Sequence, residues 1–461
     1  MATRERSRKL IVFIESLVLL AAYTFYFGIV WYQYYIAHIQ LPFFRRGNYA
    51  VIGMYALLMI LFQKLYGGFK VDSLRTMDVL YSQILSLLCV NVVFYVQLCM
   101  IGRDYMNPIP LGYVVAAEVG TVLVWVLVCR AIYRNLFPPA QMLLVYGKHT
   151  PKYLISKMET RKDKYHIAKI MHISEGMEEI RQEAMKYEAV VISDLASKER
   201  NLLVKFCYEN SIKAYITPKI SDLIVMGADR MHLFDTPLLV ARNYGLTLDQ
   251  RIGKRCVDLF CAAFMLILTS PIMLIIALCI KLYDLGPVFY RQTRVTQDGR
   301  EFRIYKFRSM GVDSEARGAR LAMKNDNRVT PVGKIIRNLH FDELPQLINI
   351  LAGDMSMVGP RPERPEIIKL YKHTIPEFDF RLKVKAGLTG YAQVYGKYNT
   401  TPYDKLKLDV AYIENYSIWL DIKLMLLTFK ILFQKENTEG VDEAQTTAIH
   451  HNTEEEKGNE S

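Results

Sequence analysis

Arg251-Ile252-Gly253-Lys254-Arg255 opens an apolar run that continues from Cys256 to Leu282 and is interrupted midway by Ser270-Pro271. The run is long enough to enter a bilayer, but a proline inside a helix removes one backbone hydrogen bond and clashes with the carbonyl four residues earlier, here Ile267, at about 3 kcal/mol. A bend is therefore expected at Pro271. Basic residues flank both ends: Arg251, Lys254 and Arg255 before the run, Lys281, Arg291 and Arg294 after it. A straight crossing places one of these groups on the wrong face of the membrane, whereas a hairpin that enters and leaves by one leaflet keeps both on the cytoplasmic side. A kinked fifth span is the other reading, and it would carry every later charged residue out of the cell.

Upstream, four more stretches are apolar enough for spans of about 20 residues: Leu10 to Tyr32, Ala50 to Tyr66, Val79 to Ile101, and Leu111 to Ala131. Arg4, Arg6, Arg8 and Lys9 precede the first, Lys64, Lys70 and Arg75 lie between the second and third, and Arg130 and Arg134 follow the fourth. The excess of cytoplasmic Lys and Arg orients the set, with Arg45 and Arg46 on the opposite side. The first run is long and no small-residue cleavage site follows it, so it is expected to remain as an anchor.

The 461 residues exceed one ordinary domain, and they combine 51% hydrophobic with 23% charged residues in separate parts of the chain. A formal charge of +12 suits a nucleic acid, an acidic membrane surface or a phosphorylated substrate; the apolar runs beside the basic clusters favour the membrane, and no nucleic-acid partner is expected. Seven cysteines form no Cys-x-x-Cys pair, which argues against a disulfide framework or a zinc site.

From Gln141 to about Leu246 the sequence reads as soluble. Met142 to Gly147 and Ala189 to Ser193 have the composition of buried strands, with a helical pattern at Met177 to Tyr187, so a Rossmann-like α/β unit is expected. The turn after the first strand, Gly147-Lys148-His149-Thr150-Pro151, lacks the repeated glycines that let a backbone wrap a pyrophosphate, so a structural or regulatory role is expected of this unit. Near the C-terminus, Ser417 to Gln434 reads as a helix lying on the membrane surface. The polar tail beyond it carries acidic Glu454 to Glu456 and is expected to be disordered.

Between these segments, Arg337-Asn338-Leu339-His340-Phe341-Asp342-Glu343-Leu344-Pro345-Gln346-Leu347 sets two carboxylates just before a helical pattern. Asp342 is placed to cap that helix, and the positive helix end with Arg337 is expected to keep it ionised, as a nucleophile toward phosphorus requires. Capping carboxylates are common, and the pair alone reads more simply as a cap and its neighbour. The surrounding cations change the balance: Arg291, Arg294, Lys306 and Arg308 alternate with aromatic residues, and Gly359-Pro360-Arg361-Pro362 forms a stiff turn presenting Arg361. Arginine forks match phosphate oxygens.

With these residues in place, about Gln250 to Gln434 resembles the bacterial polyprenyl-phosphate glycosyl-1-phosphate transferases, the monotopic phosphoglycosyl transferases. The shared elements run in order: Lys254-Arg255 with the Ser270-Pro271 break, Gly286 to Gln292, Tyr305 to Met310, Asp342 to Gln346, Gly353 to Ser356, Val358 to Pro362, Gly387 to Gly390, and Leu408-Asp409 leading to Glu414-Asn415-Tyr416-Ser417. The N-terminal spans and degenerate Rossmann-like unit resemble the larger members, typified by the undecaprenyl-phosphate galactose phosphotransferase of O-antigen synthesis. Ala386, Tyr391 and Thr296 depart from the family pattern, which usually has proline, tryptophan and glycine there.

The resemblance implies a membrane protein with four parts: a four-helix transmembrane bundle at 1–138, a Rossmann-like (CoA-binding-like) domain at 139–247, an α/β catalytic domain with a re-entrant membrane helix at 248–436, and a tail at 437–461. It implies transfer of a sugar-1-phosphate from a UDP-sugar to undecaprenyl phosphate, releasing UMP, as the first membrane step of exopolysaccharide, capsule or O-antigen synthesis. Asp342 would be the nucleophile that carries the phosphosugar, Glu343 with Asp342 the partner of Mg²⁺, and Arg337, Arg361, Arg308 and Lys306 the phosphate-binding cations. Lys254, Arg255, Ser270 and Pro271 would serve the lipid phosphate or the re-entrant helix. Likeness to the large members further implies a homodimer, downstream glycosyltransferases as partners, and an inner-membrane location with the catalytic domain facing the cytoplasm. A glycosyltransferase that moves the sugar alone fits less well, since no Asp-x-Asp metal motif is present. The alternative is a non-catalytic membrane scaffold or sensor of the same pathway.

Overall fold

A computed structural model describes residues 2–40, 43, 45–241, 245–311, 328–396 and 400–432. The tail expected to be disordered lies outside the described residues. Contacts divide the chain into two compact units, Met1–Thr217 and Pro218–Ser461.

The first unit begins with four long helices, α1 (Ala2–Gln33), α2 (Arg45–Tyr66), α3 (Thr76–Gly102) and α4 (Ile109–Leu136). Each packs on the next, and α1 also packs on α4. Their shared interior is rich in aromatic residues, with Tyr23, Phe27, Trp31, Tyr55 and Phe94 fully buried beside Leu19, Leu87, Val90 and Val122, while other leucines and valines face outward. Polar groups inside are paired across helices: Asn91 Nδ2 donates to Glu118 Oε2 at 2.9 Å, Tyr55 Oη donates to Glu118, and Gln63 Nε2 donates to Gln83 Oε1 at 2.6 Å. Such pairing is what a non-aqueous environment demands of a polar side chain.

An α/β sheet completes this unit. β1 (Ala140–Tyr146), α5 (Lys152–Glu159), β2 (Tyr165–His172), α6 (Met177–Ala184), β3 (Ala189–Ser193), α7 (Ser197–Glu209) and β4 (Lys213–Ile216) form a parallel sheet in the order β2-β1-β3-β4. Alternate residues of β1 serve opposite faces: Met142 and Leu144 pack toward Leu154 and Met158 of α5, Leu143 and Val145 toward Ile180 and Leu203 of α6 and α7. Gly147 ends β1 where a Cβ would stand 2.2 Å from the Asp194 carbonyl oxygen. The close approach of two strand ends therefore accounts for that glycine without any phosphate ligand.

The second unit opens with α8 (Ile220–Met226) and an exposed antiparallel hairpin, β5 (Asp229–Leu233) and β6 (Thr236–Val240); α8 packs on α14 (described below) within this same unit. The segment from Pro218 to Leu246 thus belongs with the C-terminal half.

α9 (Leu248–Asp284) is assigned helical throughout, Pro271 included. Ser270 explains how the helix tolerates that proline: its Oγ donates at 2.8 Å to the Ile267 carbonyl, the group Pro271 leaves without a backbone partner. Near its start α9 buries Lys254, Asp258 and Ala262, and near its end Ile276 and Ile280, while Phe264, Ile267, Leu268 and Leu274 between them stay exposed. Five helices of the described residues, α1 to α4 and α9, are long and apolar enough to cross a membrane, and the chain is a membrane protein.

The rest is a compact α/β assembly: β7 (Phe289–Val295) and β8 (Glu301–Phe307) as an antiparallel pair, α10 (Pro331–Asn338), α11 (Gln346–Ala352), β9 (Ser356–Val358), α12 (Pro365–Thr374), β10 (Gly387–Thr389) parallel to β9, α13 (Tyr391–Tyr395), α14 (Pro402–Glu414) and α15 (Ile418–Leu432). The β7–β8 turn needs left-handed backbone at Asp298 (φ 57°) and Gly299 (φ 78°), and Asp-Gly supplies it. Ala262 of α9 shares one apolar cluster with Leu347 and Ile350; Ile276 and Ile280 share another with Phe307, Ile336 and Leu344. Both ends of α9 therefore rest on this one assembly.

Candidate active site

Phe341–Glu343 forms a short 3₁₀ turn entered through His340, whose φ of 55° is unusual for a residue with a side chain. α11 begins at Gln346 with Pro345 as its N-cap, so Asp342 does not cap that helix. This corrects the expectation drawn from the sequence: the tight turn ends before the α-helix starts, so neither carboxylate caps the helix amides.

β8 supplies the first counter-charge. Asn349 of α11, fully buried, accepts from Tyr305 N at 2.9 Å and donates to the Arg303 carbonyl at 2.9 Å, which fixes the strand against the helix. On that strand Lys306 Nζ reaches Glu343 Oε1 at 2.6 Å. The second counter-charge comes from the loop after β9, where Arg361 Nη2 lies 2.7 Å from the same oxygen. Gly359 is required at the root of this loop, because a Cβ there would stand 2.3 Å from the Lys385 carbonyl oxygen.

Two neighbouring carboxylates thus occupy different electrostatic environments. Burial acts to raise the pKa of Glu343, but the charges of Arg361 and Lys306 outweigh it and hold the carboxyl well below the usual range. Asp342 moves the other way: burial first, and then the negative charge of Glu343, push it above the usual carboxylate value, against the opposing pull of Lys306, Arg337 and His340. Arg337 therefore acts on Asp342 as expected in sign, yet it does not prevail.

The other predicted residues are placed elsewhere. Arg308 is buried and paired with Asp284 at the end of α9, against Gly286, and makes no hydrogen bond to Glu343 or Asp342 among the described residues. Lys254 is also buried, with Nζ 2.6 Å from Asp421 Oδ2 and 3.1 Å from Tyr412 Oη. Arg255 donates to the Ile350 and Leu351 carbonyls at 2.7 and 2.9 Å, satisfying the C-terminal end of α11. Lys254 and Arg255, which the resemblance associates with the lipid phosphate or the re-entrant helix, make these contacts within the unit. Ser270 and Pro271 lie in the exposed middle of α9.

Several contributors carried no sequence signal of their own. Asp258 of α9 accepts from Ser356 Oγ and from Met357 N, both at 2.9 Å, and so ties the membrane helix to β9, which leads into the Arg361 loop. Arg381 donates to the Arg361 carbonyl at 2.8 Å. Asn349, Asp258 and Arg381 act on backbone atoms of distant elements, a relation that residue spacing does not encode.

Two adjacent carboxylates, one gripped by two cations and the other left with a raised proton affinity, form an arrangement suited to phosphate chemistry. A family model described as "Bacterial sugar transferase" matches residues 249–435. The chain is 39% identical over 259 residues to a UDP-N-acetylgalactosamine-undecaprenyl-phosphate N-acetylgalactosaminephosphotransferase of Aeromonas hydrophila, covering 54% of this chain and 60% of that protein. It is 41% identical over 207 residues to a UDP-glucose:undecaprenyl-phosphate glucose-1-phosphate transferase of Escherichia coli (strain K12), covering 44% and 43% respectively. A protein of the same name from Caulobacter vibrioides is 40% identical over 191 residues, which cover 40% of this chain and 72% of that shorter protein. The matched part thus spans less than two thirds of the first two relatives, but most of the third. The chain belongs to the bacterial sugar transferase family.

Proposed function

We propose that this protein transfers a sugar-1-phosphate from a UDP-sugar to undecaprenyl phosphate and releases UMP. The observation that carries the reading is the convergence of Lys306 and Arg361 on Glu343, directly beside Asp342. The names of the relatives support it, since each pairs a UDP-sugar with undecaprenyl phosphate in a sugar-phosphate transfer.

In the proposed reaction a carboxylate oxygen of Asp342 bonds to the β-phosphorus of the UDP-sugar. The bond from that phosphorus to the bridging oxygen breaks, and UMP departs with the oxygen. A phosphate oxygen of the polyprenyl phosphate then attacks the same phosphorus and frees Asp342. Lys306 and Arg361, held at Glu343, stand where phosphate oxygens would be met by fixed positive charge.

Mg²⁺ is implied by the family resemblance. No group of three or more His, Cys, Asp or Glu side chains among the described residues could hold a metal alone. The adjacent carboxylates fit an ion shared with the substrate, because Mg²⁺ is commonly held by one or two carboxylates plus substrate phosphates. Glu343, with Asp342 beside it, would hold it. Bound there, the ion would neutralise charge on the diphosphate.

We further read α9 as re-entrant. In support, its two ends bury side chains in the same α/β unit while its middle stays apolar and exposed. This keeps the site on the cytoplasmic face of the inner membrane, where nucleotide sugars are made, with α1 to α4 as a transmembrane bundle. A homodimer and hand-over of the lipid-linked sugar to downstream glycosyltransferases complete the reading.

Purified protein given UDP-sugars, Mg²⁺ and undecaprenyl phosphate should release UMP, and Asp342→Asn should abolish release. Turnover that persists in that variant would sink the nucleophile assignment, and UDP as product would replace phosphosugar transfer with simple glycosyl transfer. A panel of UDP-sugars in the same assay identifies the donor.

A further inference from the structure

Four consecutive carbonyls of the loop that presents Arg361 are all tied by hydrogen bonds to segments elsewhere in this unit. Pro360 O accepts from Gly387 N at 2.9 Å, Pro362 O from Arg294 Nη1 at 3.2 Å, and Glu363 O from Val295 N at 3.0 Å. The Arg361 carbonyl accepts from a more deeply buried side chain, Arg381 Nη2, at 2.8 Å. That same nitrogen stands 2.9 Å from Asp409 Oδ2 on α14, with the two side chains 6% and 1% exposed. Arg381 Nη1 lies 3.9 Å from Glu363 Oε1, and its guanidinium sits 5.2 Å from the Phe378 ring centre. Arg381 is thus enclosed by two carboxylates, a ring and one backbone oxygen.

We propose that Arg381 and Asp409 are positioning residues for the reaction: through the Arg361 carbonyl they fix the direction in which the Arg361 guanidinium points at Glu343. The inference rests on the reading of the Glu343–Arg361 pair as the place where substrate phosphate is held. A guanidinium is needed because its planar fork offers several donors at once, whereas a lysine ammonium in the same space is a compact point charge. Asp409 is needed because it holds the fork in register with the carbonyl. Arg361 is half exposed at its tip, so its aim depends on the backbone behind it. Errors of about 1 Å in such positioning cost about 100-fold in rate.

The test is a double-variant cycle read in binding, so that it does not depend on turnover. Affinity for UDP in Mg²⁺ buffer is measured by calorimetry on the full chain in detergent. Arg381→Lys should weaken UDP binding about tenfold while Arg361 is present and leave it within about twofold in an Arg361→Ala background. Asp409→Asn, which keeps the side-chain shape, should repeat that pattern, and thermal melting of each variant identifies any that fails to fold. Equal weakening in both backgrounds, or none in either, overturns the inference. Failure of the underlying reading has a different signature: Arg361→Ala itself leaves UDP affinity unchanged, or the unaltered protein binds no UDP.

Discussion

Arg361 meets Glu343 at 2.7 Å on the same oxygen, Oε1, that Lys306 reaches at 2.6 Å. Two cations meet on one carboxylate oxygen, and among the described residues the other carboxylate of the pair, Asp342, has no ion pair as close.

Glu343→Gln keeps the shape and removes the charge, leaving Lys306 and Arg361 facing a neutral amide. Because both cations retain some exposure, the expected stability loss is about 2 kcal/mol, less than for a fully buried pair. UMP release should fall about 100-fold or more. The melting temperature and the UMP assay are measured together; full activity in this variant would remove Glu343 from the site.

Lys254→Met leaves Asp421 buried without its cation. Breaking a buried pair from one side costs about 3–5 kcal/mol, so this variant should melt far lower, and Lys254→Met/Asp421→Leu should recover much of the loss. A selective rise in KM for undecaprenyl phosphate with unchanged melting would instead return Lys254 to a lipid-binding role.

Ser270→Ala removes the donor to the Ile267 carbonyl in the middle of α9. The expected cost is about 1–2 kcal/mol. Pro271→Ala restores a backbone N–H at that point, so Ser270→Ala/Pro271→Ala should melt higher than Ser270→Ala alone; the reverse order would show that the hydroxyl does not compensate for the proline.

Topology of α9 is checked at its two exposed ends, Leu248 and Leu285. In a background with the seven native cysteines replaced, Leu248→Cys and Leu285→Cys should both react with a membrane-impermeant maleimide in inverted vesicles and neither in intact spheroplasts. One labelled from each side would make α9 a crossing span.

Asp409 gives a pH signature. Burial raises its pKa from 3.8 to about 6, against the opposing charges of Arg381 and Lys405, with Glu363 adding to the rise. Between these values the folded protein holds a proton that the unfolded chain has released, so stability falls as pH rises from about 4 to about 6 and then levels off. At about 1.4 kcal/mol per pKa unit the change amounts to about 3 kcal/mol. Asp409→Asn should flatten this part of the melting profile; an unchanged slope would place the proton elsewhere.

The elements were largely legible in the sequence. The four N-terminal apolar runs became α1 to α4, Met142 and Ala189 begin or lie within parallel strands, and Lys306 and Arg361 do stand with Glu343. Hydropathy and periodicity report how a segment meets its solvent, and that property is local. The roles of individual charges were less legible. Asp342 was read as a helix cap, but the chain makes a 3₁₀ turn first. The family resemblance implies phosphate binding for Arg308 and a place at the lipid phosphate or re-entrant helix for Lys254 and Arg255; in the fold these three side chains meet Asp284, Asp421 and the carbonyls of α11.

By itself, then, the sequence determined the membrane character, the order of the segments, the neighbouring carboxylates and the supply of cations around them, all of which follow from residue type and spacing. Only the tertiary structure decided which cations reach Glu343, which are spent on buried pairs, and how Asp258 and Arg381 anchor the loop that carries Arg361. The physical reason is that a charge is defined by its partner and its burial, and partners here come from elements far apart in the chain.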